Sequence, residues 1–494
     1  MAVPDSPFRV VVVGAGISGL VASHCLQKAG VDHVVLERRD EVAPFEGASI
    51  SIYPQVVRVL HQIGCLEPLL KIGVPHEWGH IRRPDGTLAG SLDLFRRLAK
   101  NHGHDLLPME RREFLRVLHE GLPDKTFIRT GCKITDIREF SDRVEVTMGD
   151  GTVEKGDMVL GCDGVYSYVR RLMWDHANKV HPGLIPKQEQ EAGFAVEWKC
   201  LIGVGPPAPS LGAADLTFVH ENRFSFVLLA QPHCTFFFVL FLLDKPLRST
   251  SRVRYTDQEA EALAASIADH PLTDSLKFSE LWDNRTRGAL ISLEEGVLEH
   301  WHHGRIVLAG DAVHKATPNI ALGGNTAMED IVVLCNQLHA LLGEHGGTRP
   351  SAAALDSLFA TYQEERKERA KYIVSLSGLA SRVQAGASTL HKVAGWLMPK
   401  LPVAPVASDL SKYIRAGPKL DYVKVRDFAA GRLAWKDDEE MEKRMRSKVV
   451  GGNATHSSGV RRLWQMASAA GAVVMLFSAA WVARCIPGIK LESD

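Results

Sequence analysis

The chain has 494 residues, of which 45% are hydrophobic and 23% charged, so it is long enough for several domain-sized units and a large core. Its 58 basic and 58 acidic residues balance, which gives no reason to expect nucleic acid or another charged polymer as a partner. The eight cysteines are scattered without any C-x-x-C pair. This pattern argues against a disulfide framework or a zinc site, and it favours a reducing compartment.

The chain opens with a predicted strand–helix–strand unit. Residues 8–13 form an apolar run rich in β-branched side chains, residues 18–29 have helical character, and residues 33–37 form a second short strand. This order is typical of the beginning of a parallel sheet. The next predicted elements are helices over 54–63 and 109–122, then alternating strands over 133–148 and 152–160 joined by the turn Gly149-Asp150-Gly151.

The middle of the chain changes to short β-rich runs between residues 194 and 243, which we interpret as an inserted sheet. The predicted elements that follow are a helix over 255–269, a strand over 305–309, a long helix over 325–342 and further helices through 352–383. The stretch WLMPKLPVAPVA at 396–407 contains three prolines. We predict that it forms a loop over the surface, near a membrane.

A glycine-rich motif lies between the first predicted strand and helix. Gly14, Gly16 and Gly19 form the pattern G-x-G-x-x-G. Gly14 allows the tight turn, Gly16 lets the backbone approach a pyrophosphate, and Gly19 lets helix and strand pack closely. Glu37 ends the next strand and can accept hydrogen bonds from ribose hydroxyls. The motif predicts a dinucleotide site without separating FAD from NAD, and a purely structural turn is the alternative.

A second strand-to-helix turn lies at VLAGDAVHKATPNIALGGNTAMED, residues 307–330. A dinucleotide has two ends, and the first turn binds only the ADP end. Asp311 follows the strand and offers a carboxylate to hydroxyls of the ribityl chain or of the pyrophosphate side. The turn over 321–325 presents backbone N–H groups and a helix N-terminus to the flavin edge that becomes anionic on reduction. We therefore predict that Asp311, Gly323, Gly324 and Asn325 hold the flavin end of the same dinucleotide.

Residues 463–486 read LWQMASAAGAVVMLFSAAWVARCI and carry no charge before Arg484. About 20 apolar residues suffice to cross a bilayer, and tryptophans near both ends favour its interfaces. We predict a transmembrane or membrane-embedded helix, with a buried helix or one lying in the interface as alternatives. More cations precede this stretch than follow it, so we expect a cytosolic catalytic region anchored to the endoplasmic reticulum membrane.

Three segments together resemble fungal FAD-dependent monooxygenases of the aromatic-hydroxylase superfamily: GAGISG at 14–19, GCDGVYSYVR at 161–170 and GDAVHKATPNIALGGN at 310–325. The chain looks most similar to the membrane-bound branch, whose members epoxidise prenyl chains of meroterpenoids and indole diterpenes. The resemblance implies an α/β fold with a Rossmann-like FAD-binding domain. We expect a first FAD-binding segment over 1–180, a mainly substrate-binding β-sheet insertion over 181–300, a second FAD-binding segment with helices over 301–385, and a C-terminal extension over 386–460.

The resemblance also implies roles for individual residues. Asp163 and Gly164 match the Asp-Gly motif that serves both flavin and NADPH in the family, and Arg170 closes that motif structurally. Arg111 matches an arginine that contacts the flavin diphosphate or ribityl region, with Arg112 as its competitor.

The loop before the second predicted helix and the last glycine turn complete the match. Gly47 and Ala48 resemble the segment beside the isoalloxazine, and Asp311 matches the ribityl-binding aspartate. One departure concerns the last turn: where the family commonly has Gly-Gln-Gly-Gly-Asn, this chain has Ala321-Leu322-Gly323-Gly324-Asn325. The final glycines and asparagine are retained, so we expect flavin binding, whereas the geometry of the turn stays open.

Several of these residues also have a purely structural interpretation. Arg111 could be a solvated helix residue, and Asp163 could only shape its turn. We expect His314 to be a structural hydrogen-bonding residue rather than a catalytic base. The run Phe236–Phe238 is expected to be strand core rather than a substrate cage, although alternate side chains can face a pocket. Tyr53 follows the flavin loop and is a candidate for reaching the substrate.

The reaction implied by the resemblance is reduction of FAD by NADPH, followed by transfer of one oxygen atom of O₂ to the substrate. No protein residue is assigned a catalytic role, because the oxygenated flavin performs the chemistry. The expected substrate is a hydrophobic prenylated small molecule, epoxidised at a terminal alkene of a meroterpenoid-type intermediate and then passed to a separate terpene cyclase. An aromatic-ring hydroxylase and a non-catalytic flavin- or prenyl-binding carrier are the alternatives.

Overall fold

A computed structural model describes residues 7–45, 47–248, 253–346 and 349–441. The strands are β1 (Arg9–Val13), β2 (Asp32–Leu36), β3 (Ser49–Ile52), β4 (Gly79–Arg82), β5 (Leu88–Leu92), β6 (Leu107–Glu110), β7 (Ile128–Arg129), β8 (Ile134–Glu139), β9 (Val144–Met148), β10 (Val153–Gly156), β11 (Met158–Gly161), β12 (Ala195–Gly205), β13 (Leu216–His220), β14 (Phe224–Ala230), β15 (Thr235–Arg248), β16 (Arg287–Val297), β17 (His302–His303), β18 (Ile306–Leu308) and β19 (His314–Lys315). The helices are α1 (Ile17–Ala29), α2 (Pro54–Gln62), α3 (Leu66–Leu70), α4 (Leu94–His102), α5 (Arg111–Glu120), α6 (Tyr168–Val180), α7 (Lys187–Ala192), α8 (Asp257–Ala265), α9 (Phe278–Asp283), α10 (Gly323–Glu344), α11 (Ala352–Gln384), α12 (Thr389–Leu397) and α13 (Ala404–Arg415).

A six-stranded sheet carries both glycine-rich turns, in the order β17-β18-β11-β1-β2-β7. β1 pairs in parallel with β2 and β11, and β11 pairs in parallel with β18. Its central strand β1 is buried after Arg9, with Val10, Val11 and Val12 all 0% exposed, as expected for a parallel strand covered on both faces. Because β1 and β18 run in the same direction, the turns that follow them lie at the same edge of the sheet.

An eight-stranded sheet forms the second unit, in the order β19-β16-β12-β15-β14-β13-β4-β5. Strands β12 to β16 come from the predicted insertion over 181–300. The sheet also includes β4 and β5, because β4 pairs in parallel with β13 and places Gly79 opposite Leu216. It therefore recruits two strands from within residues 1–180, which the predicted division of the chain had placed with the first FAD-binding segment.

Several predicted segments differ from what the structure shows. The predicted strand over 133–148 is two antiparallel strands, β8 and β9, and the predicted helices through 352–383 form one helix, α11. The predicted strand over 152–160 is two strands, of which β10 belongs to a small sheet with β9 and β8, and β11 to the six-stranded sheet. The prediction of a surface loop over 396–407 is wrong, because this segment forms the end of α12, a 3₁₀ turn over Met398–Lys400 and the start of α13. Pro399 and Pro405 lie in the first turns of these helical segments, where a missing N–H costs no hydrogen bond.

Residues 416–441, which we call the C-terminal strap, run back over the six-stranded unit. Leu420 exchanges two hydrogen bonds with the side chain of Gln62 in α2, at 2.8 and 2.9 Å. The Tyr422 hydroxyl donates to the Cys25 carbonyl oxygen in α1 at 3.0 Å. The predicted membrane helix over 463–486 lies outside the described residues. Within the portion of the chain that the structure describes, no helix has the length and apolar character needed to cross a bilayer.

Candidate active site

A cavity of about 740 Å³ is lined by residues of both units. We call the region beside the glycine-rich turns the cofactor half, and the region beside the eight-stranded sheet the apolar half. The cofactor half is lined by Gly16, Ser18, Gly47, Ala48, Arg111, Gly164, Asp311, Gly323 and Gly324. The topology explains this meeting, because the turns after β1 and β18 lie at one edge of the sheet and β11 between them ends there as well.

The three glycines of the first turn have different surroundings. Gly14 has a φ of +100°, and a Cβ on it would lie 2.6 Å from the Cys162 carbonyl oxygen. A Cβ on Gly19 would lie 1.8 Å from the carbonyl oxygen of Gly14. No atom lies within 4 Å of the Cβ position of Gly16, which lines the cavity. Gly14 and Gly19 therefore shape the turn, whereas Gly16 leaves space for a ligand.

Helices α1 and α10 both begin at the cavity without a capping side chain. Their N-cap residues, Gly16 and Leu322, make no side-chain hydrogen bond, and neither helix has an acidic residue in its first turn. The first N–H groups and the positive ends of both helix dipoles are therefore available to anionic ligand groups. A flavin dinucleotide has two such groups, its pyrophosphate and the edge of its reduced ring. The residues present fit FAD.

The contacts of Arg111 and Arg112 differ and distinguish the two candidates for the arginine beside the cofactor. The Arg111 side chain lines the cavity and lies against Gly47, whose Cβ position is 3.1 Å from the arginine Cδ. Its backbone N–H donates to the Ala48 carbonyl oxygen at 3.1 Å, which joins α5 to the predicted flavin loop. The Arg112 guanidinium donates to the Ala43 carbonyl oxygen at 3.1 Å. The structure thus places Arg111 on the cavity wall, and its contact with the cofactor stays a prediction.

Asp311 lies on the wall of the cofactor half, directly after β18. Its carboxylate forms an ion pair with Lys315, which lines the cavity as well. Lys315 was not predicted from the sequence, although its position four residues after Asp311 in the same turn was a usable signal. A ligand hydroxyl that approaches Asp311 therefore meets an acceptor and a cation together.

Glu37 and Arg170 are buried, Asp163 is half-buried, and all three bind backbone groups. Glu37 accepts a hydrogen bond from the Ala15 N–H at 2.8 Å, inside the first glycine-rich turn. Asp163 accepts from two N–H groups at the start of α6 at 2.6 and 3.0 Å. Burial raises the pKa of Asp163, although these hydrogen bonds oppose the rise. Arg170 donates to the Ala312 carbonyl oxygen at 2.6 Å, which confirms its structural role. Cofactor contacts of Glu37 and Asp163 stay predictions.

Asn325 lies in the first turn of α10 and is 0% exposed. Its side-chain amide donates to the Ser51 carbonyl oxygen at 2.8 Å and accepts from the Tyr53 N–H at 2.9 Å. The asparagine therefore fixes the chain before α2 to the last glycine turn, and its side chain does not belong to the cavity wall. Tyr53 does line the cavity, but its hydroxyl donates to the Ile320 carbonyl oxygen at 2.9 Å. A contact between Tyr53 and substrate stays a prediction.

A buried ionic cluster lies behind the second turn and consists of His314, Glu329, Asp330, Arg366 and Arg369. His314 Nε2 lies 2.6 Å from Asp330 Oδ2, and Arg366 donates to Asp330 Oδ1 at 2.8 Å. Arg369 donates to Glu329 at 2.6 Å. Asp330 and Glu329 have side-chain exposures of 0%. His314 is thus a structural hydrogen-bonding residue, as predicted, and the cluster was not foreseen.

Ala321 has a left-handed backbone, with a φ of +55° and a ψ of +24°, at the position where the resembling family commonly has glycine. A residue with a Cβ pays about 1–2 kcal/mol of strain in this backbone region. Glycine removes the strain, but it also makes the unfolded chain more flexible, which offsets part of the stabilisation. We expect Ala321→Gly to raise the free energy of unfolding by up to about 1 kcal/mol in thermal or denaturant unfolding. As a control, Ala340→Gly on the exposed side of α10 should lower it by about 1 kcal/mol. An equal decrease in the free energy of unfolding for both variants would contradict the expected backbone strain at Ala321.

The apolar half follows the alternation of the eight-stranded sheet. On β13, Leu216, Phe218 and His220 line the cavity, as Phe238 does on β15, whereas Phe237 is 0% exposed in the core on the opposite face. The Phe236–Phe238 run is therefore mainly strand core with one side chain in the cavity wall. The remaining wall includes Ile81, Leu106, Ile202, Val227, Leu229, Leu293, Leu376, Leu379 and Val383.

The apolar half contains two histidines that were not predicted from the sequence, His76 and His220. Burial lowers the pKa of each to about 4. His76 Nδ1 lies 3.1 Å from the Ala214 carbonyl oxygen, and Nε2 of both rings is buried without a hydrogen-bond partner in the described structure. Strand alternation from Leu216 could have pointed to His220, whereas no sequence pattern pointed to His76. Both rings are neutral near neutral pH.

Comparison with known proteins gives a consistent family assignment. The family model described as FAD binding domain matches residues 8–377. The FAD-dependent monooxygenase DEP2 of Alternaria brassicicola is 39% identical over 455 residues, covering 90% of this chain and 85% of the relative. The FAD-dependent monooxygenase andE of Emericella variicolor is 34% identical over 395 residues, covering 80% of this chain and 83% of the relative.

Solved structures share the fold. Klebsiella pneumoniae HpxO, complexed with FAD and uric acid, superposes with a TM-score of 0.63 at 21% identity and covers 83% of this chain and 97% of its own. Pseudomonas aeruginosa PqsL, in complex with 2-aminobenzoylacetate, gives a TM-score of 0.59 at 20% identity and covers 76% of this chain and 96% of its own. These likenesses show the fold on which the cavity and its two glycine-rich turns are built. This chain belongs to the FAD binding domain family and is a FAD-dependent monooxygenase.

Proposed function

We propose that this monooxygenase epoxidises a terminal prenyl alkene of a hydrophobic, meroterpenoid-type intermediate in fungal secondary metabolism, with NADPH as electron donor. The main support is the apolar half of the cavity, in which burial lowers the pKa of His76 and His220 to about 4. An isolated alkene has no proton to lose, so its epoxidation requires no base. Hydroxylation of a phenol benefits from a base whose pKa lies near the operating pH.

The two tyrosines in the wall support the same choice. Burial raises the pKa of Tyr53 and of Tyr372 above the ordinary tyrosine value, so neither phenol is ready to accept a proton near neutral pH. The charged side chains of the wall, Arg111, Asp311 and Lys315, all belong to the cofactor half among the described residues. The substrate side of the cavity thus favours an uncharged, apolar ligand.

The protein's contribution is binding, orientation and exclusion of water. FAD would be held by the backbone at Gly16 and over 321–324, with Arg111 and Asp311 beside it, and it supplies the transfer of one oxygen atom from O₂. The aliphatic and aromatic side chains of the sheet exclude water from the reacting alkene. They also orient a long apolar chain by packing along it, because the wall offers few polar groups for hydrogen bonding. The substrate class itself rests on the sequence resemblance.

The test uses the full chain purified in detergent and a farnesylated phenol as probe. We expect NADPH to bleach the flavin band under anaerobic conditions, faster with the probe than without it. After O₂ is admitted, the product should gain one oxygen atom on the farnesyl chain, which fragmentation in mass spectrometry locates. Oxygen on the aromatic ring would instead identify a ring hydroxylase. Retained flavin that NADPH never reduces would identify a carrier.

A charge introduced into the apolar half should separate substrate binding from flavin binding. We expect Phe238→Asp to retain FAD but to lose the acceleration of flavin reduction by the farnesylated phenol, because its carboxylate would face the apolar ligand. Phe241→Asp, on the opposite face of β15 and away from the cavity wall, serves as the matched control and should keep the acceleration. Stopped-flow absorbance of the flavin measures both. Equal behaviour of the two variants would contradict the assignment of this half to the substrate.

A further inference from the structure

The cavity wall is thin at one segment, residues 389–406, which we call the rim segment. Its inner side chains, among them Met398, Leu401 and Val406, line the apolar half. Pro402 and Pro405 line the cavity and are also exposed at the molecular surface. The rim segment therefore separates the cavity from the outside by a single layer of residues.

The rim segment also exposes apolar side chains to water. Trp396 is 63% exposed, more than any other large hydrophobic side chain that the structure describes, and Leu390 is 38% exposed. Lys400 Nζ lies 3.0 Å from the centre of the Trp396 ring. Lys392 is also exposed and lies one helical turn before Trp396. An exposed indole with one ammonium group over its ring thus marks the outer side of the segment, and a second exposed lysine lies one helical turn away.

The charged side chains of the rim segment itself have one sign. Between Ala385 and Ser408 the sequence contains Lys392 and Lys400 and no aspartate or glutamate. Exposed tryptophan and lysine side chains are characteristic of the bilayer interface, where the ring lies at the acyl boundary and the ammonium reaches the phosphates. We propose that the rim segment docks on the surface of an anionic phospholipid bilayer, so that apolar ligands pass from the acyl region into the cavity behind it.

This proposal deepens the proposed function, since an enzyme for prenylated substrates benefits from direct access to the membrane, but its test needs no turnover. Residues 463–486 are predicted to enter a bilayer, so they alone would bind the protein to vesicles. The measurement must therefore report on the rim segment itself. The full chain is first prepared with Cys132, Cys234 and Cys485 replaced by serine. Leu390→Cys is then introduced into it. A separate control protein carries Val180→Cys on α6, where Val180 is 51% exposed. Each is labelled with a polarity-sensitive fluorophore and mixed with phosphatidylcholine vesicles that contain phosphatidylserine and a lipid-borne quencher.

We expect the label at position 390 to lose most of its emission on vesicles, and the label at position 180 to keep it. The double variant Lys392→Glu/Lys400→Glu should reduce quenching at position 390 several-fold when phosphatidylserine is present. Flotation of the vesicles with the protein shows whether the chain is bound. Bound protein without quenching at position 390 would overturn the proposal, as would protein that does not bind vesicles at all. Loss of emission at position 390 without vesicles would indicate contact with a second copy and would overturn it as well.

Discussion

Gly16→Ala is expected to give a folded protein that binds FAD at least about tenfold more weakly, which corresponds to about 1.4 kcal/mol of binding free energy. The backbone of Gly16, with a φ of −76° and a ψ of −164°, is open to alanine, and no protein atom lies within 4 Å of the new methyl group. The methyl group instead enters the space that the pyrophosphate needs. Flavin titration by fluorescence measures the affinity, and circular dichroism confirms the fold.

Gly19→Ala provides the contrast, because its methyl group would lie 1.8 Å from the Gly14 carbonyl oxygen. We expect this variant to unfold at lower temperature or to aggregate even without FAD. Unchanged flavin affinity in a well-folded Gly16→Ala protein would show that the diphosphate does not approach this turn, and it would contradict the assignment of the cofactor half.

Arg366→Met is expected to lower the free energy of unfolding by about 3–5 kcal/mol, because it removes the cation that both buried carboxylates share. Arg366 contacts Asp330 at 2.8 Å and Glu329 at 3.0 Å, and its side chain is 2% exposed. Asp330 also accepts from the Gly310 N–H at 3.0 Å, so the damage should reach the turn that carries Asp311. Denaturant unfolding measures the loss, and flavin content should fall with it.

The matched control is Arg116→Met, which removes an exposed arginine paired with Glu113 and Glu120 on α5. Surface ion pairs of this kind are screened by water, so we expect little change in stability. A loss as large as that of Arg366→Met would show that the effect does not come from burial of the cluster.

The same cluster sets the direction of a pH dependence. Burial acts to raise the pKa of Glu329 and Asp330, but Arg369 and Arg366 beside Glu329, and His314 and Arg366 beside Asp330, outweigh it and hold both pKa values below the ordinary range. Groups with a depressed pKa in the folded state stabilise it above their unfolded pKa, and that contribution is lost as the pH falls through the folded pKa. Denaturant unfolding at a series of pH values should therefore show stability declining on acidification.

The sequence predicted the regions of the fold that local pattern determines. The first strand–helix–strand unit, the turn Gly149-Asp150-Gly151 and the long helix α10 follow from periodicity and turn chemistry. The placement of Asp311 at the cavity wall follows from the rule that parallel strands end at one edge of their sheet.

Strand pairing and side-chain contacts between segments far apart in the chain could not be predicted from local sequence patterns. The partnership of β4 with β13 joins segments far apart in the chain, and nothing within Gly79–Arg82 encodes it. Asn325 was expected beside the flavin, but its amide is used to hold the chain at Ser51 and Tyr53. The prolines over 396–407 suggested a loop because proline breaks helix interiors, whereas Pro399 and Pro405 occupy the first turns of helical segments and Pro402 lies between those segments.

The match to the family model ends at residue 377, inside α11, yet the cavity wall continues to Leu410. A recombinant fragment trimmed to the family boundaries would cut α11 before its end at Gln384 and would leave the apolar half of the cavity without one side. The same arrangement places the two glycine-rich turns before residue 377 and part of the wall of the apolar half after it. Under the proposed function, substitutions after residue 377 would reshape the apolar half while both glycine-rich turns keep their sequence, so this part of the chain is a practical target for altering substrate selectivity.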